Sequence, residues 1–260
     1  MNVRRLALLC LLSARVLAAQ DSEVPQALNL PTTDRLQNWD MAVRFTHRFL
    51  EPARGASKDL YGLDGGNVAG LGMDFGIKAV PGLNAQFYRT SDGKTLVLAL
   101  QQQVLRGETF RFSLRAERFD EGVKQVKLPL GTVGIAGASL QAPAELRLGK
   151  LTVLVVPTWL SRTTLFDKGL LNVGGGLRWQ FSPKHGVLAE YYPRPSRLDP
   201  ATYQAGSALG YRFQTRGHRF TVLATSATGT TAHQVLGGDY GGGPRSVNHW
   251  TLGFNLVRIL

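Results

Sequence analysis

Apolar and polar residues alternate one by one through most of this chain. A period of two belongs to strands with two unlike faces, not to helices. In 38–49, NWDMAVRFTHRF, Trp39, Met41, Val43, Phe45 and Phe49 share one face, while Asp40, Ala42, Arg44, Thr46 and Arg48 share the other. In 109–118, Phe110, Phe112, Leu114 and Ala116 oppose Arg111, Ser113, Arg115 and Glu117. Val173, Leu177, Trp179 and Phe181 oppose Asn172, Arg178 and Gln180, and Leu209, Tyr211 and Phe213 oppose Ala208, Gly210 and Arg212. Twelve such stretches can be marked: 38–49, 67–77, 83–90, 94–104, 108–118, 132–147, 151–160, 171–181, 186–193, 203–214, 218–225 and 247–260. Alternation is weakest in the sixth, seventh and ninth. Pro143 interrupts the sixth, as a bulge or strand end tolerates. No segment competes as a helix.

The connections sort into two kinds. KAVPG, LRG, SPKHG and TRG are short, whereas 50–66, 119–131, 161–170, 194–202 and 226–246 are longer; TSDG is the short exception among the second kind. Short turns at one end and long loops at the other, with an even strand count, is the layout of a bacterial outer-membrane barrel. The expected fold is therefore all-β: a transmembrane antiparallel up-and-down β-barrel of about twelve strands.

The first residues fit that destination. MNVRR is basic, LALLCLLSARVL is largely apolar, and AAQ offers small residues for cleavage near Ala18 or Ala19. This reads as a cleaved signal peptide over 1–19, too short and too broken by Arg15 to span a bilayer. A twin-arginine route through Arg4-Arg5 fits poorly, and lipidation of Cys10 lacks the small residue before it. Cys10 is the only cysteine, so the mature chain has no disulfide. Residues 20–37 are expected as an N-terminal periplasmic segment, and 38–260 as the barrel. The chain carries +12, and Arg4, Arg5 and Arg15 supply three of these without an acid, leaving +9 for the remainder. Such a surplus suits nucleic acid, anionic lipid or acidic ligands. Export removes nucleic acid from that set.

A soluble β-sandwich also alternates, but three features oppose it. Trp39, Trp159, Trp179 and Trp250 stand near strand ends, where interface aromatics belong. The polar face is rich in small residues and arginine and nearly free of lysine. Finally, the chain ends on a two-faced strand, 248–260, which is expected to close the barrel by pairing with 38–49.

HRFLEP, then LYGLDGGNVAGLGMDFGI, AEYYPRP, TRGHRFTVLATS and finally GFNLVRIL make the sequence similar to an uncharacterised family of bacterial outer-membrane β-barrels, a domain of unknown function. The resemblance runs from about Trp39 to the C-terminus and implies a barrel, with no enzyme, cofactor or substrate. Gly253, Phe254, Asn255 and Arg258 fit the family's ending; Leu260 replaces its usual final phenylalanine.

With the apolar face toward lipid, the other face lines the lumen. An arginine facing mid-bilayer lipid costs about 2–4 kcal/mol. Arg44, Arg111, Arg115, Arg178 and Arg212 are therefore expected to point inward, with Asp74, Glu117, Asp40 and Glu190 among the acids on that side. Arg48 and Arg219 share the parity nearer strand ends. Either these charges pair into a network that fills the interior, or the surplus arginine makes a lumen that passes anions. The functional expectation is a narrow anion-preferring pore or transport-associated barrel in the outer membrane. The alternative is a non-conducting barrel whose loops 50–66 and 226–246 dock other envelope proteins. Expected partners are outer-membrane lipid, the barrel-assembly machinery, and small anionic solutes or envelope proteins.

No catalytic set is legible. His47, His185, His218, His233 and His249 are scattered, and no Gly-x-Ser-x-Gly turn occurs. No metal spacing appears, and no cofactor is expected. LDGG at 63–66 lacks the acid ladder of a calcium loop. GLGMDFG at 70–76 falls mid-strand, so its glycines point to close packing inside the barrel rather than to a nucleotide loop.

Overall fold

The computed structural model describes residues 23–53, 63–124, 133–163, 165, 168–200, 203–227, 229–238 and 250–260. The signal peptide, Cys10 and His249 lie outside them. The strands are β1 (Met41–Phe49), β2 (Asn67–Gly76), β3 (Leu83–Thr90), β4 (Leu96–Arg106), β5 (Phe110–Lys124), β6 (Val133–Gln141), β7 (Ala144–Leu148), β8 (Leu151–Leu160), β9 (Leu170–Gln180), β10 (His185–Tyr192), β11 (Gly206–Gln214), β12 (His218–Thr225) and β13 (Thr251–Ile259). One short helix, α1 (Ala232–Leu236), lies between β12 and β13.

Each strand pairs antiparallel with its neighbours, and β4 also pairs with β5, so the sheet closes on itself. The pairs β6 and β7 both lie between β5 and β8 and form one interrupted stave, which makes a barrel of twelve. The interruption falls at Pro143, which has no N–H to give the ladder. Its carbonyl still accepts from Ser113 N–H at 2.9 Å. The expected seam is present: Arg44 stands opposite Val257 and Thr46 opposite Asn255 where β1 meets β13.

Side chains obey the alternation. Leu71, Met73, Phe87, Leu98, Leu100, Leu114, Leu209 and Val222 project outward and are exposed. Arg44, Thr46, Asp74, Gln86, Arg115, Glu117 and Arg212 are buried inside. An apolar exterior of this kind is stable only against lipid, and full closure leaves no unpaired edge within the bilayer. The glycines of β2 serve the interior: a Cβ at Gly70 would collide with the Tyr88 hydroxyl, which shares a 2.6 Å hydrogen bond with Thr46 Oγ1.

Two expectations change. Residues 23–37 are not a segment outside the barrel; they run within it. Residues 226–227 and 229–238, read as part of an extended outer loop without helix, also turn inward and include α1. In both, leucines seek the buried apolar wall of one sector. Leu28 and Leu30 pack with Leu154, Val156, Leu188, Tyr192 and Leu223 of the wall and with Ala232, Val235 and Leu236 of α1.

Candidate functional site in the barrel lumen

The inserted segment is a hairpin. Glu23 N–H donates to Arg35 O at 2.9 Å, Gln26 and Pro31 form a bridge, and Ala27 N–H donates to Leu30 O at 2.9 Å to close the tip. The tip turns three successive N–H groups toward one carboxylate. Leu28 N–H donates to Glu190 Oε1 at 2.7 Å, Asn29 N–H to Oε2 at 2.9 Å, and Leu30 N–H to both oxygens at 3.3 Å. Successive amides converging on an anion form a backbone nest. The Tyr192 hydroxyl donates to Glu190 Oε2 at 2.5 Å and accepts from Asn29 Nδ2 at 2.8 Å. Arg48, fully buried, donates to Asn29 Oδ1 at 2.9 Å and to Asn255 Oδ1 at 2.8 Å.

The returning leg carries Asp34 into a group of arginines near the short-turn end. Arg147 Nη2 lies 2.7 Å and Arg178 Nη1 2.9 Å from its oxygens, with Arg111 Nη1 at 4.0 Å. Arg178 also reaches Glu23 at 3.5 Å and Glu145 at 3.9 Å. Burial alone would raise the Asp34 carboxyl. Arg178 and Arg147 outweigh it and hold the group below the usual carboxylate range. Gln101 and Gln103 donate to Thr32 O and Thr33 O of the same leg, at 2.8 and 2.6 Å.

A second polar group lies across the lumen. Arg44 Nε is 3.6 Å from Asp74 Oδ2, and its guanidinium lies over the Tyr88 ring at 4.9 Å. Gln86 links Asp74 to Arg115, at 2.5 Å on each side, and Arg115 pairs with Glu117 at 3.1 Å. His233 of α1 then completes the row: Nδ1 meets Glu117 at 2.8 Å, Nε2 meets Glu121 at 3.2 Å, and the ring stacks on Phe119 at 4.0 Å. Gln234 donates to Asp92 Oδ2 at 3.4 Å, and Asn172 Nδ2 donates to Leu236 O at 2.8 Å.

Burial would lower the His233 pKa, but the hydrogen bonds and charges of Glu117 and Glu121 reverse this and raise it. The sign of the linkage follows. The ion-pair contribution to holding α1 is complete below the ordinary histidine value of about 6.5 and is lost as pH climbs through the raised one. Amide exchange of residues 232–236 is therefore expected to quicken on alkaline titration. In His233→Asn that pH step should vanish; an identical step in the variant would refute the latch.

Arg44, Asp74, Arg115 and Glu117 face inward in one group and Arg111 and Arg178 in another, with Arg212 inward but outside both. Arg212 contacts Thr221 Oγ1 at 3.3 Å and Ala27 O at 3.1 Å. Trp159 and Trp179 project outward near opposite strand ends. Trp39 stands highly exposed in a turn before β1, at φ 67°. Trp250 precedes β13, and its carbonyl accepts from Ala53 N–H at 2.7 Å. His47 faces outward, stacked on Phe254, while His185 and His218 contact Tyr211 and Arg258. Among the described residues no serine hydroxyl bonds a histidine ring, and no cluster suited to a metal is present.

A closed barrel with a lipid-facing exterior and an interior occupied by its own chain is an outer-membrane barrel with an internal plug. A family model described as "Membrane bound beta barrel domain (DUF5777)" matches residues 23–114 and 147–260, and the chain belongs to that family. The match begins with the hairpin itself. No curated protein matches the sequence. Among solved structures, the KdgM porin is similar with a TM-score of 0.50 at 8% identity, covering 84% of this chain and 98% of that one. Outer membrane phospholipase A from Escherichia coli gives 0.50 at 11%, covering 93% and 96%. The Acinetobacter baumannii outer membrane protein Omp33 gives 0.48 at 7%, covering 86% and 99%. At such identities the likeness is one of fold.

Proposed function

We propose that this protein is an outer-membrane pore held shut by its own N-terminal hairpin, and that the open form prefers anions. The observation that carries the reading is the seat of Asp34 among Arg111, Arg147 and Arg178. With the hairpin in place those guanidinium groups are neutralised. With it withdrawn, Glu145 alone remains among them, and a ring of like charge at a constriction selects the opposite ion. The Glu190 nest and the leucine contacts at the tip hold the closed state.

Planar-bilayer recording across a salt gradient tests both parts. The mature wild-type protein is expected to be silent for most of the record. Asp34→Lys, which sets a cation against three arginines, should produce steady current steps with an anion-side reversal potential. Equal steps from the wild type would overturn closure by the hairpin. A cation-side reversal in the variant would overturn the anion preference and leave closure standing.

A further inference from the structure

The lumenal arginines are engaged, but several cations on the outside of the barrel are not, and three of these gather beside β3–β5. Arg89 is on the outward face of β3, Arg118 is on the outward face of β5, and Lys94 occupies the turn joining β3 to β4. All three are exposed, and among the described residues their side chains have no hydrogen-bond or ion-pair partner. Arg89 stands opposite Leu96, and Leu98 stands opposite both Phe87 and Arg118. Arg118 is thus two strands, about 10 Å, from Phe87. Two acids lie in this sector: exposed Asp120, opposite Leu96, and Asp92, in the same turn as Lys94 and engaged by Gln234 of α1. Gly122 of β5 lies against Lys94, so the turn leans toward β5.

Beside these cations, the outer wall is hollowed. Phe45, Leu71 and Phe87 border a shallow, open groove floored by Ala69 and Gly70, with Arg89, Ser91 and Lys94 at its upper rim. Ala69 creates the depression, because its neighbours across the ladder, His47 on β1 and Arg89 diagonally on β3, are far larger. Elsewhere at this height the outward strand positions are Trp159 on β8, Leu171 on β9 and Tyr191 on β10, which are aromatic or apolar. Cations borne on the strand faces themselves are therefore local to β3–β5, whereas exposed Arg162 and Lys168 lie in the loop between β8 and β9.

In a barrel with short periplasmic turns, this end meets the outer leaflet. Unpaired cations above an apolar groove at a lipid interface match one ligand: an acyl chain in the groove with a phosphate in the headgroup layer. We propose that Arg89, Lys94 and Arg118 bind the phosphorylated headgroup of an outer-leaflet glycolipid, one of whose acyl chains lies between Phe45, Leu71 and Phe87. The inference uses only the barrel's exterior and is independent of what the lumen conducts.

Native mass spectrometry of the detergent-solubilised mature protein, titrated with diphosphorylated lipid A, tests it. A discrete one-lipid adduct is expected. Arg89→Gln/Lys94→Gln/Arg118→Gln should weaken it about a hundredfold, from the loss of three surface cations. Ala69→Trp, which fills the groove and leaves the cations, should also lose the adduct. Lys94→Gln alone, in a turn, guards against misfolding and should give a smaller loss in the same direction. Equal retention of dephosphorylated lipid A, or unchanged retention by the triple variant, would overturn the phosphate assignment. Full competition by inorganic phosphate, or no effect of Ala69→Trp, would overturn the lipid one.

Discussion

Replacing Glu190 with alanine is expected to free the hairpin from the lumen. This carboxylate is 3% exposed and accepts from three backbone amides and from Tyr192. A hydrogen bond to a charged group contributes about 1.5–3 kcal/mol, and each buried donor left without an acceptor adds its own desolvation cost. Losing the three amide bonds therefore weakens docking by about 4 kcal/mol or more, raising the undocked fraction roughly a thousandfold. The barrel wall should survive, because its ladder from β1 to β13 does not depend on Glu190's side chain. Trypsin offers the measurement. Arg35 lies in the hairpin, so cleavage after it yields a barrel starting at Leu36. Glu190→Ala should be cut at least a hundredfold faster than wild type, while Asp120→Ala, on the exposed outer face, should not change. Equal rates in Glu190→Ala and wild type would remove Glu190 as the anchor.

The exterior of this protein is legible from its sequence, and the contents of its lumen are not. Period two separates lipid-facing Leu71, Met73 and Phe75 from lumenal Gly70, Gly72 and Asp74 without ambiguity, because mid-bilayer lipid rejects charge. It cannot say which inward groups meet. Arg44 and Arg178 share a parity, yet one faces Asp74 and the other Asp34. A signal for the plug was nonetheless present. LTVLVVPTWL and GVLAEYYP, the seventh and ninth stretches, alternate poorly because Leu154, Val156, Leu188 and Tyr192 point inward while their neighbours face lipid. A strand apolar on both faces has a second apolar partner, and Leu28 and Leu30 supply it. His233 was hidden differently. β5 continues to Lys124 rather than ending near 118, which brings Phe119 and Glu121 inward to meet a loop far away in sequence.

The same apolar core makes the hairpin and α1 interdependent, and Leu28→Asp is the substitution that exposes this. Leu28 is fully buried and packs where wall, hairpin and helix meet. Truncating such a leucine costs about 2–5 kcal/mol. A carboxylate there is worse, since it is buried without a partner and lies near Glu190. The hairpin should leave the lumen, while the folded barrel keeps its heat-modifiable migration in cold detergent. Ala232, Val235 and Leu236 then lose the leucines they pack on, and a helix of five residues has no stability of its own. Amide exchange in 232–236 should therefore accelerate together with proteolysis at Arg35, although Leu28 and α1 are some two hundred residues apart in the chain. The remaining ties of α1 include its packing on the wall, His233 to Glu117, Glu121 and the Phe119 ring, Gln234 to Asp92, and Asn172 to Leu236. If those alone keep the helix protected in Leu28→Asp, the two plugs are separate devices. If protection is lost with the hairpin, the lumen opens and closes as one cooperative unit.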